Sequence, residues 1–87
     1  ALDNAVSPRA AKLKGITHPA AGDADILVVP TIEAGNILFK ALVYMAGAET
    51  GGLVVGASAP VILTSRADSA EARIASCALA VLAANAA

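Results

Sequence analysis

The 87 residues carry six Lys plus Arg against seven Asp plus Glu, a formal charge of −1, with 57% hydrophobic and only 15% charged residues. A chain this long holds one domain or part of one and buries roughly 60 to 70 percent of its surface, while usual globular composition is about 25% charged. The charge balance and the two aromatic residues, Phe39 and Tyr44, exclude a basic stripe or a stacking platform for nucleic acid. So little charge implies a surface meant to be covered by a neighbouring domain or subunit, and the chain reads as a piece of a larger protein. The single Cys77 cannot form an internal disulfide. It fits a reducing compartment, and a cytoplasmic location is expected.

In chain order, "NAVSPRAAKLKG" predicts a short helix, with Ser7 as cap, Pro8 in the first helical position and Gly15 at the end. "THPAAGDAD" reads as loop. His18 within it has no second ligand at metal-binding spacing, so an ordinary surface role and no metal site are expected. "ILVVP", residues 26–30, is a continuous apolar run closed by proline. Its β-branched content predicts a strand buried on both faces.

"TIEAGNILFKALVYMAG" predicts a helix with Ile37, Leu38, Ala41, Leu42 and Met45 on its apolar stripe and Gly47 as its stop. Asn36, Lys40 and Tyr44 form a second, more polar stripe at four-residue intervals. "GGLVVGASAPVILTS" contains two short strand-like runs, residues 53–55 and 61–63. The link between them is too short for a helical crossover, so a hairpin or a bend within one edge element is expected. The last helix starts near residue 69. Either Asp68 caps it, with Glu71 completing a capping box, or Ser69 does. Its core stripe is predicted as Ile74, Cys77, Ala78, Val81 and Leu82, with Cys77 packing rather than reacting. The uncharged run 74–87 is shorter than the about 20 residues that span a bilayer, so a buried helix is expected and no membrane partner.

Helix, strand, helix, strand, strand, helix is α/β alternation with covered strands. In such folds ligands gather beyond the carboxyl ends of strands, where helices begin. "VILTS" followed by "DSAEAR" has that form, with Ser65 and Arg66 between. The orphan N–H groups of a helix start and the planar arginine fork both suit an anion. A local ion pair of Arg66 with Asp68 or Glu71, an anion site and a solvated arginine all stay open on spacing alone. "VVPTIEAGN" is a second such corner, where Thr31 can cap and Gly35 admits close approach. The sequence has no GxGxxG, Walker A or GxSxG motif, so nucleotide folds and hydrolase elbows lack support.

"DILVVP", "EAGN" with "YMAGAE", and "PVILTSRADS" occur here in an order and spacing that closely resemble the C-terminal part of the phosphate acetyltransferase and phosphate butyryltransferase family. The likeness runs from about Asp3 to Leu82 and is nearer the butyryltransferase branch. Similar stretches also close fusions in which an enoyl-CoA hydratase-like domain comes first. The resemblance implies that residues 1–87 are a C-terminal fragment of the transferase domain. The fold class it implies is α/β, a three-layer segment of an isocitrate/isopropylmalate dehydrogenase-like fold with a mixed sheet flanked by helices. It implies reversible transfer of an acyl group between coenzyme A and inorganic phosphate, with the acyl-CoA and phosphate as substrates and no cofactor. Homodimers with the active site in a cleft between two domains are implied too, and the missing N-terminal portion of the same chain would be a partner.

Carried over residue by residue, Ser65 would donate a hydrogen bond to the developing oxyanion or leaving group and Arg66 would hold the phosphate. Asn36 would shape the cleft. Lys40 matches a family lysine one helical turn later, with its role left open; with Asn36 it makes up the expected cofactor-binding pair. One position departs from the family: the aspartate proposed as base for the thiol falls on Ala72, with Asp68 and Glu71 nearby. The fragment alone is expected to be inactive. The alternative reading is a non-catalytic structural or dimerisation segment of a decayed transferase. A small dehydrogenase-like domain is a third reading, and the sequence lacks the metal-binding aspartates it needs.

Overall fold

The computed structural model describes residues 1–86. Ala87, the last residue of the uncharged terminal run, lies outside the described residues. The elements are α1 (Leu2–Val6), α2 (Pro8–Leu13), α3 (Ile32–Ala46), β1 (Leu53–Val54), β2 (Val61–Ile62) and α4 (Ala70–Ala84). Two compact units divide the chain, one of residues 1–35 and one beginning at Asn36, so the first turn of α3 belongs to the first unit and its remainder to the second.

In the first unit, Ser7 does what its place before Pro8 predicts. Its hydroxyl accepts the Ala10 N–H at 3.2 Å, so it caps α2 as α1 ends. The loop after α2 folds back: the Gly22 and Ala24 N–H groups donate to the Asn4 and Ala5 carbonyls at 2.8 and 3.1 Å. Gly22 has a φ of +76°, and a Cβ there would sit 2.5 Å from Pro8 Cα, so only glycine serves both the turn and the contact. Ala11, 4% exposed, is the buried apolar residue under this loop. His18 Nδ1 accepts the Ala20 N–H at 3.0 Å, an ordinary turn contact.

Residues 26–29 form no ladder, contrary to the expected doubly covered strand. Ile26 is 82% and Val28 90% exposed. A strand exists through its neighbours, and no described segment pairs with this run. The element order therefore becomes three helices, a hairpin and a helix. The sheet is two-stranded and antiparallel, smaller than the expected mixed sheet. Thr31 caps α3 as expected, its Oγ accepting the Ala34 N–H at 3.1 Å. Gly35 lies against Val29, where a Cβ would come within 3.0 Å of Val29 Cγ2.

In the second unit, α3 ends at Ala46, just before Gly47. On its predicted stripe Leu38 and Ala41 are half-buried, whereas Ile37, Leu42 and Met45 are exposed. Residues 53 to 62 form the hairpin, in register Leu53↔Ile62 and Val54↔Val61. The Leu63 N–H donates to the Gly52 carbonyl at 3.0 Å, which extends the pairing toward Ser65.

The last helix decides one open alternative and corrects one expectation. Ser69 is its cap, with Oγ accepting the Ala72 N–H at 3.1 Å, and Asp68 is engaged elsewhere. Its inward face is not the predicted stripe: Ile74, Cys77, Val81 and Leu82 are exposed, so α4 is not a buried helix, and Ser76 is 1% exposed. Ser76 Oγ accepts the Gly52 N–H at 2.9 Å and donates to the Ala72 carbonyl at 2.8 Å, pinning the hairpin to α4. From Ile74 on, α4 is apolar but for Ser76, with apolar residues all round it, so periodicity could not choose the face. The packing made the choice: a Cβ on Gly51 would lie 2.7 Å from Leu79 Cδ1 of α4. Within the hairpin, a Cβ on Gly52 would lie 2.5 Å from the Leu63 carbonyl oxygen.

Candidate active site

The hairpin delivers residues 64–69 to the start of α4, and Ser65 is the hub of this turn. The Asp68 N–H donates to the Ser65 carbonyl at 3.2 Å and closes the turn. The Asp68 carboxylate returns two bonds: Oδ2 accepts the Ser65 N–H at 2.8 Å and Oδ1 accepts the Ser65 hydroxyl at 2.9 Å. Lys40 reaches the same hydroxyl oxygen from α3, its Nζ donating at 3.2 Å. Arg73 comes from α4 and donates to the Ser65 carbonyl at 3.0 Å and, at 3.4 Å, to Thr64 Oγ1.

Two aromatic side chains hold Lys40 in place. Its Nζ lies 5.5 Å from the centre of the Phe39 ring and 5.8 Å from that of Tyr44. The Tyr44 hydroxyl donates to the Ala67 carbonyl at 3.4 Å. Lys40 and Tyr44, four residues apart on the polar stripe of α3, thus both reach the turn.

Asp68 is held below the usual carboxylate range. The Ser65 N–H acts first and the Ser65 hydroxyl next, with smaller help from the Lys40 and Arg73 charges, against a desolvation penalty. Beside this turn a groove of about 660 Å³ runs between the C-terminal half of α3 and the start of α4, with Lys40, Tyr44, Glu49, Asp68 and Glu71 among its walls.

The predicted site residues divide. Ser65 and Lys40 meet directly. Arg66 is exposed and, among the described residues, forms no hydrogen bond or ion pair, so the pairing with Asp68 or Glu71 that spacing left open is not made. Asn36 is exposed one turn before Lys40 on the same helix and does not reach Ser65. Sequence reasoning missed Arg73 and the Asp68 clamp. The clamp had a readable signal, since a carboxylate three residues after a serine can bond its backbone and hydroxyl. Arg73 had none, because only the fold sets it against Ser65.

Residues 1–81 match the family described as phosphate acetyl/butaryl transferase. The chain belongs to that family. A phosphate butyryltransferase of Clostridium beijerinckii is 58% identical over 82 residues, covering 94% of this chain and 27% of that enzyme. A probable phosphate butyryltransferase of Bacillus subtilis is 60% identical over 83 residues, 95% of this chain and 28% of the other. A phosphate acetyltransferase of Rhizobium meliloti is 56% identical over 82 residues, 94% of this chain and 26% of the other. Among solved structures, a branched-chain phosphotransacylase from Enterococcus faecalis V583 superposes with a TM-score of 0.86 at 45% identity, over all of this chain and 32% of that one. The chain therefore spans between a quarter and a third of the length of these family members.

Proposed function

We propose that this chain is the C-terminal segment of a phosphate acyltransferase that interconverts acyl-CoA plus phosphate with acyl phosphate plus CoA. The observation that carries the reading is the turn at Ser65. Lys40 and Arg73 both bond to this residue, Arg66 follows it, and the adjoining carboxylate of Asp68 is already committed. Arg66 keeps its full set of donors and stands before the 15-residue helix α4, an arrangement suited to phosphate. In the direction that makes acyl-CoA, the CoA thiolate attacks the acyl phosphate carbonyl and phosphate departs with the bonding pair. Cations at this turn offset the charge that builds there, an effect of several kcal/mol by order of magnitude. A thiol with a pKa of about 8.5 supplies thiolate at neutral pH without a strong base, which eases the loss of the family's aspartate at Ala72.

Exposed Ile26, Val28, Ile74 and Leu82 support a role inside a larger assembly. The proposal includes the rest of the transferase as that cover, a fold of the isocitrate/isopropylmalate dehydrogenase-like kind, and a homodimer with its active site in a cleft.

The test is phosphate-dependent thiol release from acetyl-CoA and butyryl-CoA by the full-length enzyme, its Arg66→Ala variant and the 87 residues alone. The wild type should turn over, the variant should lose at least about 100-fold, and the 87 residues should release nothing. Release by the wild type that survives in the variant would remove Arg66 from the site. No release by the wild type would favour the structural or dimerisation reading.

A further inference from the structure

The hydrogen bonds around Ser65 define what this residue can offer a ligand. A serine hydroxyl has one hydrogen and two lone pairs. An ionised carboxylate only accepts, so the bond to Asp68 Oδ1 at 2.9 Å consumes the hydrogen. An ammonium only donates, so the bond from Lys40 at 3.2 Å consumes one lone pair. The Ser65 N–H is also spent on Asp68 at 2.8 Å, and its carbonyl accepts from Arg73 and from the Asp68 N–H. One lone pair on Oγ is left.

We infer that Asp68 is a positioning residue which holds the Ser65 hydroxyl hydrogen away from the ligand, so that Ser65 meets the substrate as a hydrogen-bond acceptor and Lys40 supplies the donors to the developing oxyanion. The inference rests on the transferase reading and assigns roles within that same turn. The Lys40 ammonium has three hydrogens and spends one on Ser65, with no carboxylate paired to it among the described residues. The group that complements the free lone pair brings its own hydrogen, and the CoA thiol does so before it loses that hydrogen and attacks as the thiolate. Asp68 works through Ser65 and not as the base. Both its oxygens are engaged by a residue that it orients, and the charges facing it, Lys40 from α3 and Arg73 from α4, favour its ionised form.

The experiment is a double-mutant cycle on the full-length enzyme with Asp68→Asn, Ser65→Ala and the pair, each followed as kcat, KM for CoA and the pH dependence of kcat. The Ser65 amide proton shift of the wild type is titrated beside it. Asp68→Asn should lower kcat about 10- to 100-fold with KM for CoA changed less than threefold, and should leave the midpoint of the acid limb where it was. In a Ser65→Ala background the same change should cost less than twofold. The Ser65 amide should move as Asp68 protonates, a readout that needs neither a variant nor turnover.

An acid limb that disappears in Asp68→Asn would make Asp68 the base and overturn the inference. Equal losses in both backgrounds would overturn it as well, as would an amide that ignores pH. A wild type without turnover fails the transferase reading instead, and the assigned roles fall with it even if the amide titrates.

Discussion

Ser76→Ala is the sharpest probe of how the hairpin is held. The Ser76 side chain is 1% exposed, and its oxygen is the acceptor of the Gly52 N–H at 2.9 Å. Alanine keeps the helix and most of the volume but leaves that N–H without a partner. A fully buried orphaned donor costs about 1–3 kcal/mol; Gly52 is half-buried, so the loss should lie near about 1 kcal/mol, about 5-fold faster opening at that amide. The Ala72 carbonyl is a helical acceptor and loses only its additional partner, so the effect belongs to Gly52. The assay is amide hydrogen exchange at Gly52 in the full-length protein, with Cys77→Ala as comparison. Cys77 is exposed on the next position of the same helix and should change stability by no more than about 0.5 kcal/mol. Unchanged exchange at Gly52 in Ser76→Ala would refute the reasoning, and so would a Cys77→Ala loss of equal size. Since the Leu63 N–H donates to the Gly52 carbonyl, loosening Gly52 should also loosen the approach to Ser65.

Gly52→Ala should be worse than an ordinary surface change. The new Cβ would meet the Leu63 carbonyl oxygen at 2.5 Å, against backbone that cannot swing aside. Such overpacking costs about 1–3 kcal/mol, read as a drop in denaturation midpoint, and an unchanged midpoint would contradict the packing. The pH dependence has a defined sign. Asp68 is lowered chiefly by the Ser65 N–H, and Asp3 by the Lys14 ammonium 2.6 Å away. Folded values below the unfolded aspartate value of about 3.9 give stability that is fully present above that pH and is lost as pH falls through the folded values. Denaturation midpoints from pH 7 to 2 should therefore fall at the acid end and fall less in Asp68→Asn; identical acid losses in the two proteins would exclude the Ser65 clamp as a source.

The sequence by itself determined the local punctuation and the family. Ser7 before Pro8, Thr31 before α3 and the stop at Gly47 act on backbone within a few residues, so their geometry is written in adjacent letters. The two short runs joined by a short link left a hairpin or a bend within one edge element, and "SRADS" with "EAGN" in the right order carried the kinship. Tertiary structure decided the rest, because it depends on groups far apart in the chain. Lys40 meets Ser65 across 25 residues, and Arg73 turns back to the Ser65 carbonyl from a helix whose cap spacing alone left undecided. Apolar pattern could not choose the inward face of α4, since beyond Ile74 apolar residues lie all round it; the close approach of Gly51 to Leu79 and the bond from the Gly52 N–H to Ser76 settle it. Residues 26–29 show the converse. Their letters suit a covered strand, yet pairing and cover come from neighbours: no described segment pairs with them, and of the four only Val29 is half-buried, against Gly35.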